Sequence, residues 1–566
     1  MIGRTNAGGG GKTIFPTGIE ITSPPTKTTY NAGENLNLSG IAVTATFSDG
    51  STQDVTSECT FTPSSGTVVY ENTTKITANW TWEDTITYTT NQSITVKRVL
   101  TGISITTVPT KTDYVKGESL DLSGMVVTAS YNSGASEDVT SLCTSSPAGG
   151  SAISTTGSMT VTVSYAENGV TKSATFKINV TAPIYGVEWD GTSSTKFSRT
   201  DAAELFTDPV PYVNGASSYG SPFDNIFPWS DMQIVDDATA GKLVKIPKYY
   251  FKWTKSGAKM KLQISEEAFD GSHVSPAHAD RGDGKGERDV VYVGRYHCNS
   301  SYKSVSGQTP VTNITRATAR TNIHNLGSSY WQYDFAMYWT ICMLYLVEFA
   351  DWNSQAKIGY GCSPSSSKWN VGYTDSMPYH TGTTASARTS YGGTQYRHIE
   401  GLWDNVFDWC DGIYFSGANV YCIKNPASFS DSSGGTLVGT RPTSSGWISA
   451  FNVPTANGFE YALYTSAISG SEATYITDYC YSGGVVLCVG GGCGQYQNYG
   501  LFYLNGNKSA SNTNSNIGSR ILKRILILWH SGRAALAGNG LIWAQSSTSQ
   551  KGRRKNCERQ RRFVNP

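Results

Sequence analysis

TGIEITSPPTKTTYNAGENLNLSGIAVTATFSDGSTQDVTSEC, Thr17–Cys59, returns without a gap as TGISITTVPTKTDYVKGESLDLSGMVVTASYNSGASEDVTSLC, Thr101–Cys143. Gly18 matches Gly102, Tyr30 matches Tyr114 and Cys59 matches Cys143, a constant offset of 84 residues. Both copies carry short alternating apolar segments, Ile41–Phe47 and Met125–Tyr131, bounded by Gly, Asn and Pro. Alternation of that kind is the signature of half-buried antiparallel strands. Two tandem β-sandwiches are therefore expected at this end of the chain.

The turn-Gly-Glu-x-Leu-x-Leu-Ser-Gly pattern shared by the copies resembles bacterial immunoglobulin-like domains. The resemblance covers residues 16–181 and implies two modules, 16–98 and 99–182, that space a binding head from its anchor. Cys59 and Cys143 occupy the same place in each copy with no partner inside the module, so a buried thiol is expected at both.

At 566 residues the chain exceeds a single core. Only 15% of residues are charged, while 59 Gly, 33 Tyr and 14 Trp favour turn-rich β and mixed folds over helical bundles. A formal net charge of +1 gives no overall field to draw nucleic acid or an anionic membrane. The opening MIGRTNAGGGGKTIF has no apolar export core, and no stretch is long enough for a membrane span. Gly8–Thr13 ends in GKT, but Asn6 stands where a phosphate loop needs its first Gly, so residues 1–15 read as a flexible leader. The 11 cysteines show neither CxxC pairs nor zinc spacing and are expected to be mostly thiols in a protein assembled in a cytoplasm.

After Ala182 aromatics become more frequent, and residues 183–524 are expected to form one further domain. Asp334–Trp352, DFAMYWTICMLYLVEFADW, is apolar nearly all round, predicting a buried helix with Asp334 as N-cap. Three blocks carry a second resemblance: ICMLYLVEFADWNSQ (Ile341–Gln355), YRHIEGLWDNVFDWCDGIYF (Tyr396–Phe415) and NGNKSASNTNSNIGSR (Asn505–Arg520). Together they resemble the C-type-lectin fold of the formylglycine-generating-enzyme type, in the subset that serves as targets of diversity-generating retroelements. In that family, mutagenesis at adenines rewrites ligand-facing codons just upstream of a fixed block similar to SNIGSR. The resemblance thus implies a variable region at about 481–520, with Trp403–Trp409 as a core strand.

Tyr481–Asn507, YSGGVVLCVGGGCGQYQNYGLFYLNGN, is rich in Tyr, Gly, Cys and Asn, all reachable from an Asn codon by adenine changes. Tyr offers rigid contact area at low entropic cost while Gly and Asn adapt, as in antibody paratopes. The resemblance places the ligand surface on Cys488, Gly492, Cys493, Gly494, Gln495, Tyr496, Gln497, Tyr499, Phe502, Tyr503, Asn505 and Asn507. Phe502 or Tyr503 packing inward is the alternative, because strand residues alternate faces.

Formylglycine-generating enzymes share this fold and oxidise a substrate cysteine with copper held by two nearby cysteines. Cys488 and Cys493 have a similar spacing, which makes a copper-dependent thiol oxidase one alternative function. No His or basic residue lies between Val485 and Asn507, and fold does not transfer activity. No nucleophile, base and orienter can be assembled elsewhere, so no enzyme activity, cofactor or metal is expected. Asp404, Asp408 and Asp411 read as packing and turn residues rather than a calcium or glycosidase site. Asp280–Glu287, DRGDGKGE, reads as a solvated loop.

The expected fold class is mainly β with an α+β C-terminal part: two immunoglobulin-like sandwiches and then a C-type-lectin-like domain. The expected function is that of a phage tail-fibre adhesin in the virion, with a host cell-surface receptor, protein or glycan, as ligand. Contact with other tail proteins through the N-terminal region and homo-oligomerisation, as a trimer, complete the expected partners, without membrane insertion or specific nucleic acid. A bacterial surface-displayed adhesin with the same head is the second alternative. Residues 525–566, including KGRRKNCERQRR, read as a basic tail, disordered in part.

Overall fold

The computed structural model describes residues 14–361, 367–493 and 499–525. The leader up to Thr13 and the basic tail from Leu526 lie outside them.

The chain is mainly β. In the first repeat copy, Pro16–Ser23, Ala42–Phe47 and Thr52–Asp54 form one antiparallel sheet, and Thr60–Thr62, Lys75–Trp82 and Ile86–Ser93 form the other. Leu100–Thr107, Val126–Tyr131 and Ser136–Asp138 repeat the first sheet 84 residues on. Alternation decides what is buried: Ile76, Ala78 and Trp80 point inward from one strand, and Val161, Val163 and Tyr165 from its counterpart.

The shared KTxYxxGExLxL pattern has an atomic cause. The Tyr30 hydroxyl donates to the Lys27 carbonyl (2.9 Å) and accepts from the Asn37 amide (3.2 Å). Tyr114 repeats this with the Lys111 carbonyl (3.2 Å) and the Asp121 amide (3.1 Å). Glu34 accepts from the Asn31 amide and pairs with Lys27 at 2.7 Å; Glu118 does the same with Val115 and Lys111 at 3.0 Å. Gly33 and Gly117 turn the chain between them at φ of 87° and 100°, a region that favours glycine. The expectation of buried thiols needs correction: Cys59 and Cys143 are half-buried. Each directly follows a 3-10 turn, Thr56–Glu58 or Thr140–Leu142, and packs at the margin of its core.

From Ile184 onward the described residues form five sheets, and all five contribute to a core built around one helix. Helix α1 spans Arg316–His324, α2 spans Phe335–Phe349 and α3 spans Ser354–Lys357. All fifteen residues of α2 are buried, which is why the segment shows no polar face. Asp334 caps it by accepting from the Met337 amide (2.8 Å), and Ala350, left-handed at φ 50°, ends it before Trp352. The indole of Trp339 donates to the Leu463 carbonyl (3.0 Å) and the Tyr338 hydroxyl to that of Leu501 (3.0 Å), so the polar atoms of these buried aromatics are satisfied.

The largest sheet has eight strands and runs Thr436–Thr440, Asn419–Cys422, Phe407–Ser416, Val486–Val489, Leu504–Lys508, Tyr479–Tyr481 and Gly446–Trp447, with Ile517–Gly518 pairing alongside Phe407–Ser416. In another sheet the last described strand, Ile521–Arg524, lies between Val290–Gly294 and Tyr330–Gln332. Trp403 corrects the expected Trp403–Trp409 strand. The strand begins only at Phe407, because Asn405 at φ 64° interrupts the extended run; Trp403 is nonetheless buried, its indole donating to the Gly359 carbonyl (3.0 Å).

Among the described residues no helix is long and apolar enough to cross a membrane.

Candidate ligand-binding surface

Strand alternation sorts the large sheet into two faces. Leu487, Val489, Leu504 and Cys480 enter the core around α2, whereas Val486, Cys488, Phe407, Trp409 and Tyr503 form a separate cluster on the other face. Over that cluster lies a continuous run of aromatic rings. Trp447 meets Tyr479 edge-on at 5.5 Å, Tyr479 meets Tyr481 at 4.8 Å, Tyr481 meets Tyr503 at 6.1 Å, and Tyr503 meets Tyr499 at 4.4 Å. These separations are those of favourable aromatic contacts. Trp447, Tyr479, Tyr481 and Tyr499 are half-buried, with part of each ring open to solvent.

The residues predicted from the sequence divide between the floor and the rim of this strip. Cys488, Tyr503 and Asn505 are buried beneath it, with Cys488 opposite Trp409 and Asn505 on the neighbouring strands. Asn505 donates to the Tyr503 hydroxyl at 3.1 Å. Phe502 turns the other way, into the core, where its ring meets Trp352 at 4.8 Å; this is the inward packing that strand alternation allows. Gly492 and Cys493 are buried in the turn after Val486–Val489, where the Cys493 amide donates to the Asn405 carbonyl (2.8 Å). Tyr499 is half-buried and Asn507 exposed. Gly494, Gln495, Tyr496 and Gln497 lie outside the described residues. Tyr479, Tyr481 and Trp447 were missed; the period-two Tyr-Cys-Tyr at 479–481 was the available signal.

Fixed groups hold the segment from below. Asp478 accepts from the amides of Gly500 (2.5 Å) and Phe502 (2.9 Å), and the Ser354 hydroxyl accepts from the Leu501 amide (2.9 Å). A Cβ at Gly500 would stand 2.8 Å from both Asp478 Oδ2 and Ser354 Oγ, so glycine is required there. Burial pushes the Asp478 carboxyl up to about 7.

The last four residues of the SNIGSR block, Ile517–Arg520, are buried. Arg520 is sealed from solvent. Its guanidinium donates to Asp408 Oδ2 (3.1 Å) and to the carbonyls of Gly294 (2.9 Å) and Glu400 (2.9 Å), joining three segments far apart in sequence. The three aspartates around Trp403 and Trp409 go separate ways. Asp404 accepts from the Thr394 amide (2.7 Å) and the Tyr373 hydroxyl, Asp408 pairs with Arg520, and Asp411 pairs with Arg320 (2.5 and 2.9 Å). Arg281 of the Arg-Gly-Asp triplet corrects the solvated-loop reading: it is buried and bonds Asp334 at 3.1 Å.

Cys488 and Cys493 sit in surroundings unlike those of reactive thiolates. Burial pushes the Cys488 thiol up to about 12 and raises Cys493; the opposing influences of Lys508 and Lys368 are smaller. Among the described residues no three His, Cys, Asp or Glu side chains group as a metal site.

No curated protein matches the chain. Solved structures similar to it include S-layer protein SbsC domains 4 and 5, 20% identical over 30% of this chain and 99% of that one, with a TM-score of 0.14. SbsC domains 4–9 are 17% identical over 45% of this chain and 44% of that one, TM-score 0.15. Extracellular cadherin domains 1–4 of protocadherin gamma B7 are 11% identical over 48% and 72%, TM-score 0.17. Residues 23–97 and 107–180 each match the model of the bacterial Ig-like domain (group 3), and this part of the chain therefore consists of two bacterial immunoglobulin-like domains.

Proposed function

We propose that the chain is a phage tail-fibre adhesin of the virion, in which the two immunoglobulin-like domains space a C-type-lectin-like head that binds a host cell-surface receptor. The observation that carries this reading is the strip Trp447, Tyr479, Tyr481 and Tyr499, half-exposed over a buried floor and bordered by exposed Asn507. Half-exposed tyrosines on a rigid sheet present large contact area with little side-chain entropy to lose, the composition that recurs in binding surfaces that change sequence but not scaffold. The head acts by binding and not by catalysis, in keeping with the buried, protonated Cys488 thiol. Partner contacts in the tail run through the N-terminal region. Homotrimerisation raises the avidity of a modest single site by about 10²–10⁴.

The test is flow cytometry of the fluorescently labelled full chain on intact cells of a panel of bacterial strains. Binding to particular strains that is lost in Tyr481→Ala and Tyr499→Ala supports the proposal. Absence of binding to every strain, or equal binding by both variants, overturns it.

A further inference from the structure

The loop that starts at Asp280 and the end of the last described strand bring three arginines together beneath the surface: Arg281, Arg288 and Arg524, none more than 4% exposed. Arg281 donates through Nη2 to Asp334 Oδ2 (3.1 Å) and through Nε to the Lys424 carbonyl (2.5 Å). Arg288 donates through Nη2 to Asp283 Oδ2 (3.1 Å) and through Nη1 to the Lys285 carbonyl (2.6 Å). Arg524 reaches the same Asp283 oxygen (3.4 Å) and holds the carbonyls of Ala277 (3.2 Å) and Ala279 (3.1 Å). The charges of Arg281, Arg288, Asp283 and Asp334 all act on Arg524. Burial, and then repulsion from Arg281, lower its guanidinium to about 9, which leaves it charged at neutral pH.

Two features separate this cluster from a balanced one such as Arg316 and Arg320, which meet Asp411 and Asp431 two against two. First, three guanidinium groups face only Asp283 and Asp334. Asp280 is turned to its own loop, accepting from the Gly282 amide (2.9 Å), and Glu287 and Asp289 pair with Lys248 at 3.5 and 2.8 Å. One positive charge is thus left over where water does not screen it, which is costly. Second, Arg281 Nη1 and Arg288 Nε are buried and have no hydrogen-bond acceptor among the described residues. A guanidinium only donates, so whatever completes these groups must accept. Water would complete the hydrogen bonds but leave the charge, and a dianion would overshoot it. We infer that Arg281, Arg288 and Arg524 form an internal site for one small monovalent anion, with chloride as its natural probe, that accepts from Arg281 Nη1 and Arg288 Nε. The Asp283 side chain, 18% exposed, is where solvent reaches the cluster. The bound ion ties this loop to Ile521–Arg524 and to Asp334, the cap of α2, and so stabilises the folded head whatever ligand its surface takes.

The experiment is chlorine NMR of sodium chloride in the presence of the full chain, with sodium bromide as competitor, joined to thermal melts in sodium chloride and in sodium gluconate at equal ionic strength. Broadening of the chloride line that bromide removes is expected, with a higher melting temperature in chloride than in gluconate. Arg288→Met takes away a donor and a charge and should weaken chloride binding about tenfold. Asp283→Asn keeps the size of the side chain, removes a negative charge and should tighten binding about tenfold. Arg288→Met can unfold the head, which circular dichroism reports; Asp283→Asn then carries the decision. No broadening, broadening that bromide leaves in place, equal melting in the two salts, or parental affinity in Asp283→Asn overturns the inference. Water in place of the ion would produce none of the expected effects.

Discussion

Arg520 and Asp408 form an ion pair of 3.1 Å that solvent does not reach. Breaking such a pair by removing one member leaves a buried charge without compensation. Arg520→Ala is expected to destabilise the C-terminal part by roughly 3–5 kcal/mol. Guanidinium denaturation followed by tryptophan fluorescence measures this, and a change under about 1 kcal/mol refutes the structural role given to the residue.

Asp478 makes the anchorage of the Gly500–Phe502 segment depend on pH. Its folded-state value of about 7 stands above the ordinary aspartate value of 3.8, so the folded protein binds a proton in that window that the unfolded chain releases. The resulting contribution to stability is fully present below about pH 4 and is lost as pH rises through about 7. Melting temperatures at pH 5 and pH 7.5 should differ less in Asp478→Asn than in the parent chain. An unchanged difference removes Asp478 as the source.

Backbone clearance dictates which positions between Tyr481 and Asn507 can accept a larger side chain. A Cβ on Gly490 would come within 2.2 Å of the Leu402 carbonyl oxygen, on Gly491 within 2.4 Å of that of Trp403, and on Gly484 within 2.2 Å of the Asn507 backbone. Sequencing this locus across a population should find these glycines and Phe502 constant while Tyr481, Tyr499 and Asn507 vary. Variation at the glycines as frequent as at the tyrosines would contradict this arrangement.

Tyr481→Ala and Tyr499→Ala should each weaken cell binding by at least about 1 kcal/mol. Each ring is partly open to solvent, so circular dichroism melts should show little accompanying loss of stability. Equal losses of binding and stability would mean that the rings only support the sheet.

Within the immunoglobulin-like domains, Tyr30→Phe and Tyr114→Phe each delete a hydroxyl that bridges two backbone groups. A cost of about 1–2 kcal/mol is expected for each. Calorimetry of the two single variants should show that each substitution lowers one domain's transition and leaves the other's unchanged.

How legible these features were depended on the range of the contacts that make them. The repeat announced its strands because the Tyr30, Gly33 and Glu34 interactions are local, and α2 announced its burial by lacking a polar face. Asp334 could be named as its cap from position alone. The partners of Arg520 lie 112 to 226 residues away, so no local pattern marks it as the centre of a network. The opposite orientations of Phe502 and Tyr503 were open for the same reason: the period of two was visible, but not which phase faces the core. Asn405, whose left-handed backbone delays the strand to Phe407, looked like any other polar residue in a tryptophan-rich run.

The place of Ile521–Arg524 between two strands contributed at least 189 residues earlier bears on how the protein is made. Until those residues leave the ribosome, Val290–Gly294 and Tyr330–Gln332 each present an unpaired edge, and Asp408 waits for its counterion. The immunoglobulin-like modules can fold as they emerge, whereas the C-terminal sheet stays open until Ile521–Arg524 has been made. A message truncated even shortly before codon 520 therefore yields folded spacers attached to an adhesive, unclosed sheet.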